Sequence, residues 1–137
     1  MTLKTTVLIV DDDSDLRKLL RFALASSRRV ILEAATAEEG LRLALHIVPD
    51  VLLLDIGLPG LDGFTICRAI DAKPSLWLMK TVIISGHDAA EDISQAAWFG
   101  INAYLIKPFS LRTVIELVER LEPKRNEMLV IPAERHD

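Results

Sequence analysis

The feature that most constrains the fold is the stretch V-L-L-L-D-I-G-L-P-G-L-D-G, which covers residues 51–63. Four apolar residues, Val51 to Leu54, end at a single acid, Asp55, and glycines and a proline follow at once. A short apolar run bounded by turn residues is typical of a strand that is buried on both faces, as in parallel sheets. Glycine and proline favour a loop after it, so Asp55 is expected at the carboxyl end of a buried strand. In open α/β sheets ligands bind at that edge, which makes Asp55 the first candidate for chemistry.

The rest of the chain alternates strand and helix patterns. Aliphatic and β-branched runs predict strands, and apolar stripes at three- and four-residue spacing predict helices between them. The predicted strands cover residues 4–10, 30–34, 51–55, 81–84 and 103–106. The predicted helix caps are Asp13 or Ser14, Thr36 with Glu39 as a capping box, Asp62, Asp88 and Ser110. This order predicts an α/β fold with right-handed crossovers and a parallel sheet that helices cover on both faces.

Composition narrows the cellular setting and the classes of partner. The 137 residues suit one domain, and half of them are hydrophobic, which is enough for a sizeable core. The net charge of -4 argues against a general affinity for nucleic acid or for an anionic membrane. A single cysteine, Cys67, cannot form an internal disulfide, and the apolar runs are too short to predict a signal peptide core or a membrane-spanning helix. We therefore expect a soluble, cytoplasmic protein without direct nucleic-acid or membrane partners.

Polar side chains follow four of the five predicted strands, and in a parallel sheet those strand ends lie at one edge. They are Asp11 with Asp12, Asp55, Ser85 and Lys107. Clustered carboxylates repel each other unless a cation intervenes, and oxygen ligands without histidine suit Mg²⁺ or Mn²⁺ rather than zinc. A metal beside a lysine and a hydroxyl forms a site for phosphoryl oxygens. One carboxylate is then left to act as a nucleophile and form an aspartyl phosphate, and Asp55 on the central strand is the best placed.

Four motifs together resemble the receiver domain of two-component response regulators, the CheY-like domain. They are V-L-I-V-D-D-D, L-L-L-D-I-G-L-P-G-L-D-G, V-I-I-S-G-H and Y-L-I-K-P-F, and the resemblance covers roughly residues 4–122. It implies a flavodoxin-like (βα)5 three-layer sandwich whose parallel sheet has the strand order 2-1-3-4-5. The pocket would lie at the switch between strands one and three.

The resemblance assigns a role to each residue of the predicted pocket. Asp55 matches the phosphoacceptor, and Asp11 and Asp12 match the acidic pair that holds Mg²⁺ together with Asp55. The backbone carbonyl of Gly57 matches the third protein ligand. Lys107 matches the lysine that pairs with a phosphoryl oxygen, and the bond from Lys107 to Pro108 is often cis in the family.

The resemblance also implies a switch and its partners. A histidine kinase or a histidine phosphotransfer protein would donate the phosphoryl group. Ser85 would bond to it, Tyr104 would then move inward, and the face formed by the fourth helix, fifth strand and fifth helix would signal to a downstream protein. A monomer and a phosphorylation-dependent dimer are both allowed. Gly57 and His87 flank the site as candidate modulators of dephosphorylation, and His87 either contacts the attacking water or faces solvent.

The domain boundary is expected near Pro123. Residues 1–122 would form the receiver domain, and residues 123–137 would form a tail that is too short for an output domain. The chain thus resembles a stand-alone receiver that acts through protein contacts or relays phosphate. The apolar run Met128 to Ile131 would dock on the body, add to a partner, or represent a remnant linker.

Other functional classes remain as alternatives. A receiver-like scaffold without phosphorylation usually lacks one of the acids or the lysine, all of which are present here. An aspartyl-phosphate phosphatase or phosphotransferase of the haloacid dehalogenase type places D-x-D on its first strand, whereas this chain has adjacent acids there. A flavin or nucleotide carrier would have a glycine- or Ser/Thr-rich phosphate loop after the first strand. The protein is therefore expected to be a signalling phosphoacceptor that catalyses only its own phosphorylation and dephosphorylation, not an enzyme.

Overall fold

The structure is a computed structural model that describes residues 4–57, 63–86, 90–123 and 131–134. Strands and helices alternate along these ranges. The strands are β1 (Thr5–Val10), β2 (Arg29–Ala34), β3 (Val51–Asp55), β4 (Lys80–Ser85) and β5 (Ala103–Ile106). The helices are α1 (Ser14–Leu24), α2 (Ala37–Ile47), α3 (Gly63–Asp71), α4 (Ala90–Trp98) and α5 (Leu111–Leu121). A short 3₁₀ helix, Pro74–Leu76, occupies the predicted break between α3 and β4.

Within the described ranges, no helix is both long enough and apolar enough to pass through a lipid bilayer.

The strands form one parallel sheet in the order β2-β1-β3-β4-β5, which confirms the predicted fold class and strand order. The central strand β3 pairs with β1 on one side and with β4 on the other. All five residues of β3 are buried, as its unbroken apolar sequence predicts for a strand covered on both faces. The order of the strands reverses between β1 and β3, and their carboxyl ends therefore lie beside a crevice.

The core lies in two layers, one on each face of the sheet. Because successive side chains of a strand point to opposite faces, β1 contributes to both layers. Val7 and Ile9 pack in the layer that contains residues of α1 and α5, whereas Leu8 and Val10 pack in the layer that contains residues of α2 and α3. The two layers and the sheet between them hold the strand ends in a fixed arrangement.

The helix ends largely follow the predicted capping chemistry. Asp13 caps α1 and accepts from the N–H groups of Asp15 and Leu16, and Ser110 caps α5. Thr36 caps α2 by accepting from the Glu39 N–H, but the Glu39 carboxylate accepts from the Ala35 N–H, one residue before the cap. The capping box is therefore reciprocal in a shifted form. The predicted caps Asp62 and Asp88 lie outside the described residues.

Helix α2 approaches the sheet closely at Gly40. A Cβ atom at this position would lie 2.7 Å and 2.8 Å from the two γ-methyl carbons of Val10, which is buried in β1. Both distances are shorter than real carbon contacts, and the packed core around Val10 leaves little room for it to move. Gly40 is thus required by the close approach of helix and strand.

We predict that Gly40→Ala lowers the free energy of unfolding by about 1–3 kcal/mol, because the added methyl overpacks the contact with Val10. At an exposed helix position the same change would instead stabilise by roughly 1 kcal/mol through helix propensity. Urea unfolding of the wild type, Gly40→Ala, Val10→Ala and the double variant measures the coupling. In the Val10→Ala background the methyl fits, so Gly40→Ala should cost little or stabilise. A stabilising effect in the wild-type background would contradict the close approach.

Candidate functional site

The four predicted polar strand ends meet at one edge of the sheet. Asp11 directly follows β1, Asp55 ends β3, Ser85 ends β4, and Lys107 directly follows β5. The strand register holds them level, because Asp55 pairs with Ile84 and the Lys107 N–H donates to the Ser85 carbonyl over 2.8 Å. The parallel topology therefore brings together residues that are nearly a hundred positions apart in the sequence.

Three carboxylates cluster at this edge. Asp11, Asp12 and Asp55 each offer one oxygen, and these oxygens lie within 4.8 Å of one another. Asp11 and Asp55 are only 1% and 6% exposed, whereas Asp12 is open to solvent. Two buried acids beside a third, exposed acid form a site that is closed towards the sheet and open towards a ligand.

Backbone N–H groups fix one oxygen of each buried carboxylate. Asp11 Oδ1 accepts from the Asp13 N–H over 2.9 Å, and Asp55 Oδ1 accepts from the Gly57 N–H over 2.8 Å. The second oxygens, Asp11 Oδ2 and Asp55 Oδ2, face Lys107, whose Nζ lies 4.0 Å and 3.4 Å from them. Asp11 Oδ2 is buried and has no hydrogen-bond partner in the part of the chain that the structure describes. A buried carboxylate oxygen without a hydrogen bond is costly, so this atom is a candidate ligand for a cation.

The surroundings of Asp11 raise the pKa of its carboxyl above the ordinary value of 3.8. Burial is the main cause, since it disfavours the charged form, and the negative charges of Asp55 and Asp12 add to it. The hydrogen bond from the Asp13 N–H and the positive charge of Lys107 act in the opposite direction without cancelling the effect. Lys107 thus compensates only part of the negative charge at this edge.

The predicted switch residues lie on neighbouring strands. Ser85 is 1% exposed at the end of β4, and Tyr104 in β5 is half-buried and packs against the core layer of α2 and α3. Tyr104 pairs with Ile83, and side chains two residues apart in a strand share a face, so Ser85 and Tyr104 lie on the same side of the sheet. The Lys107–Pro108 peptide bond is cis, as expected.

Of the two predicted modulators of dephosphorylation, Gly57 lies beside the acidic group, and a Cβ atom there would approach Asp55 Oδ1 to 3.3 Å. His87 lies outside the described residues.

The sequence reasoning missed Arg17. This residue of α1 donates from Nη1 to the backbone carbonyl of Asp11 over 2.7 Å and therefore contacts the backbone of the acidic group. The available signal was an arginine one turn into a helix that follows three acids. That signal is weak, because a solvent-exposed arginine gives the same pattern.

Comparison with known proteins agrees with this geometry. The family model described as "Response regulator receiver domain" matches residues 7–119. An uncharacterized 14.6 kDa protein of Leptolyngbya boryana is 32% identical over 114 residues, which are 83% of this chain and 87% of that protein. The transcriptional regulatory protein ResD of Bacillus subtilis is 35% identical over 122 residues, which are 88% of this chain but only 49% of ResD. The chain thus spans about half the length of ResD.

Solved structures give the same result at the level of the fold. A putative response regulator from Chloroflexus aurantiacus has a TM-score of 0.78 at 29% identity, over 86% of this chain and 97% of that one. The chemotaxis protein CheY4 of Vibrio cholerae has a TM-score of 0.79 at 23% identity, over 86% and 98%, a likeness that concerns the fold alone. The family match over residues 7–119 shows that the chain belongs to the receiver-domain family of two-component response regulators.

Proposed function

We propose that Asp55 accepts a phosphoryl group from a phosphohistidine while Mg²⁺ or Mn²⁺ is bound beside it. Receiver domains of response regulators interact with histidine kinases and with downstream partners, and the family normally binds Mg²⁺ at an acidic pocket. For this chain the donor would be a histidine kinase or a histidine phosphotransfer protein. The observation that carries the proposal is that Asp11 Oδ2 is buried within a group of three carboxylates and accepts no hydrogen bond from the described residues.

The residues at this edge fit a divalent cation of the hard type. The group consists of aspartates without histidine or cysteine, and oxygen donors are the ligands that Mg²⁺ and Mn²⁺ prefer. Asp11, Asp12, Asp55 and the backbone carbonyl of Gly57 would hold the ion. When bound, it supplies positive charge that offsets the negative charge of the carboxylates and of an incoming phosphoryl group. Asp11 Oδ2, which accepts no hydrogen bond from the described residues, would be one of its ligands.

Asp55 is the carboxylate best suited to act as the nucleophile. It lies on the central strand, it is buried, and the Gly57 N–H fixes one of its oxygens. A carboxylate oxygen of Asp55 would form a bond to phosphorus as the bond from phosphorus to the imidazole nitrogen breaks, and the electron pair of that bond would stay on the imidazole. Lys107 Nζ, 3.4 Å from Asp55 Oδ2, is close enough to stabilise a phosphoryl oxygen there.

Ser85 and Tyr104 would transmit the effect of phosphorylation from Asp55 to the face of α4, β5 and α5. Ser85 would turn towards the new phosphoryl oxygens, and Tyr104, on the same side of the sheet, would fill the space that this movement opens. The face of α4, β5 and α5 would then change shape and bind a downstream protein. On this proposal the chain is a signalling phosphoacceptor that catalyses only its own phosphorylation and dephosphorylation.

The proposed function predicts self-phosphorylation by a small donor. Incubation with acetyl phosphate and Mg²⁺ should add one phosphoryl group, read by intact-protein mass spectrometry, and the gain should disappear with chelator. Asp55→Asn, which keeps the size of the side chain but removes the nucleophile, is the matched control and should gain nothing.

A gain in Asp55→Asn, or a gain that is independent of Mg²⁺, would contradict the assignment of Asp55. No gain in the folded, Mg²⁺-bound wild type would leave a donor-selective receiver or a partner-binding scaffold. A phosphohistidine donor then separates these two, since only the receiver accepts its phosphoryl group.

The raised pKa of Asp11 predicts how stability depends on pH in the absence of a divalent ion. A group with a raised pKa stabilises the fold most at pH values below its ordinary value of 3.8, and that contribution is lost as the pH rises through the raised pKa. Asp11→Asn stays neutral and can still accept from the Asp13 N–H. In chelator, Asp11→Asn should therefore be more stable than the wild type at pH 7, and the difference should shrink towards pH 4.

Thermal or urea unfolding of both proteins across this pH range, with and without Mg²⁺, measures the effect. Mg²⁺ at a hundred times its Kd should stabilise the wild type by about 2.7 kcal/mol, and it should stabilise Asp11→Asn far less. A variant that is less stable than the wild type in chelator at pH 7 would mean that burial of the charged Asp11 carries no penalty.

A further inference from the structure

The geometry points to Arg17 as a positioning residue that holds the Asp11–Asp12 turn in the arrangement that binds a divalent cation. This inference rests on the proposed function, because it concerns the same metal site. Among the described residues, Arg17 forms no hydrogen bond or ion pair with the carboxylates of Asp11, Asp12 and Asp55. It acts on the backbone that carries two of them.

Arg17 lies between the acidic turn and β2. Its Nη1 donates to the Asp11 carbonyl over 2.7 Å, and its Nε donates to Glu33 Oε1 over 3.2 Å. The side chain is only 18% exposed. A planar guanidinium that serves two acceptors at once is held in one orientation, so the bond to the Asp11 carbonyl is directional.

The acidic turn, residues 11–13, is held by hydrogen bonds within it, to β2 and to the Arg17 side chain of α1. The Asp11 N–H donates to the Ala34 carbonyl, and the Asp13 N–H donates to Asp11 Oδ1. Neither bond fixes the peptide plane that joins Asp11 to Asp12. The Asp11 carbonyl belongs to that plane, and because the peptide unit is rigid, the bond from Arg17 orients it.

Asp12 depends on that peptide plane. Its side chain is exposed, and its carboxylate has no hydrogen bond or ion pair to any of the described residues. The side chain therefore keeps its rotamer freedom, and the peptide plane sets the position of the Asp12 Cβ atom from which the carboxylate reaches towards Asp11 and Asp55. Loss of the Arg17 bond would let the plane rotate and would move the Asp12 oxygen away from those of Asp11 and Asp55.

The charge of Arg17 acts in the opposite direction to its hydrogen bond. A cation near the carboxylates disfavours the binding of a second cation, so removal of the charge alone would tighten Mg²⁺ binding. Glu33 lies against Arg17 and also pairs with Arg21, which keeps the net charge of the three side chains at one positive unit. A positioning role thus predicts weaker Mg²⁺ binding when Arg17 is replaced by an uncharged residue, whereas a purely electrostatic role predicts tighter binding.

Arg21 provides a matched control on the same helix. It lies one turn after Arg17, pairs with the same Glu33, and donates to the Ile31 carbonyl, which is not part of the acidic turn. Replacing either arginine by methionine keeps most of the apolar stem and removes one positive charge and one set of bonds to β2. Only Arg17→Met loses a bond to the Asp11 carbonyl.

The experiment is an NMR titration of the full chain with MgCl₂ at constant ionic strength. It follows the amides of Asp13 and Gly57, which donate to the Asp11 and Asp55 carboxylates. Arg17→Met should raise the Kd for Mg²⁺ by about tenfold, the low end of effects for residues that orient metal ligands, and Arg21→Met should stay close to the wild type. Thermal midpoints in chelator measure the structural cost of each variant separately, and this cost should be larger for Arg17, whose side chain is 18% exposed, than for Arg21, whose side chain is 49% exposed.

A Kd that is equal in the two variants, or a tighter Kd in Arg17→Met, would overturn the positioning role. If Arg17→Met does not fold, Arg17→Lys replaces it, because lysine keeps the positive charge but lacks the planar fork that serves the Asp11 carbonyl and Glu33 together, and it should weaken Mg²⁺ binding relative to Arg21→Lys. If Mg²⁺ leaves the Asp13 and Gly57 amides of the wild type unchanged, the metal site of the proposed function fails, and the role of Arg17 fails with it.

Discussion

The rest of the site depends on the burial of two carboxylates, those of Asp11 and Asp55, side by side at one edge of the sheet. The two acids end neighbouring strands, and packing on both faces of the sheet prevents them from moving apart. Lys107 lies near both of them, yet the pKa of Asp11 stays raised, mainly because the carboxyl is buried and in addition because Asp55 and Asp12 are negatively charged. The site is thus built to accept positive charge, and it becomes fully compensated only when a ligand supplies it.

This arrangement connects stability with signalling. Burial of charged carboxylates costs free energy, and binding of a cation would lower that cost. A phosphoryl group on Asp55 would add negative charge at the same place and make the positions of Lys107 and Ser85 matter. Ser85 lies on β4, and the half-buried Tyr104 lies on the neighbouring strand β5. A displacement of Ser85 on phosphorylation would therefore change the packing around Tyr104.

Most of the fold and the position of the site could be predicted from local patterns. The apolar run before Asp55 has one plausible placement in a parallel sheet, and the caps Asp13, Thr36 and Ser110 follow from hydrogen-bonding chemistry that acts within four residues. Such features depend on neighbours in the sequence, which explains why they could be identified without a structure.

The features that escaped prediction depend on contacts between distant residues. The need for glycine at position 40 arises from Val10 on another element, and the contact of Arg17 with the Asp11 carbonyl requires the entry angle of α1. The left-handed backbone of Val48 at the end of α2, with φ of 52°, was also not expected for a β-branched residue. The burial of Asp11 Oδ2 depends on how the strands and helices pack around it, which no local pattern predicts.

The most direct measurement is a crystal structure of the full chain grown with MnCl₂, with anomalous scattering used to locate the metal. We predict one Mn²⁺ in contact with Asp11 Oδ2, with oxygens of Asp12 and Asp55, and with the Gly57 carbonyl. A site that stays free of metal, with a water or a protein group bonded to Asp11 Oδ2 instead, would contradict the claim that these carboxylates are assembled around a cation.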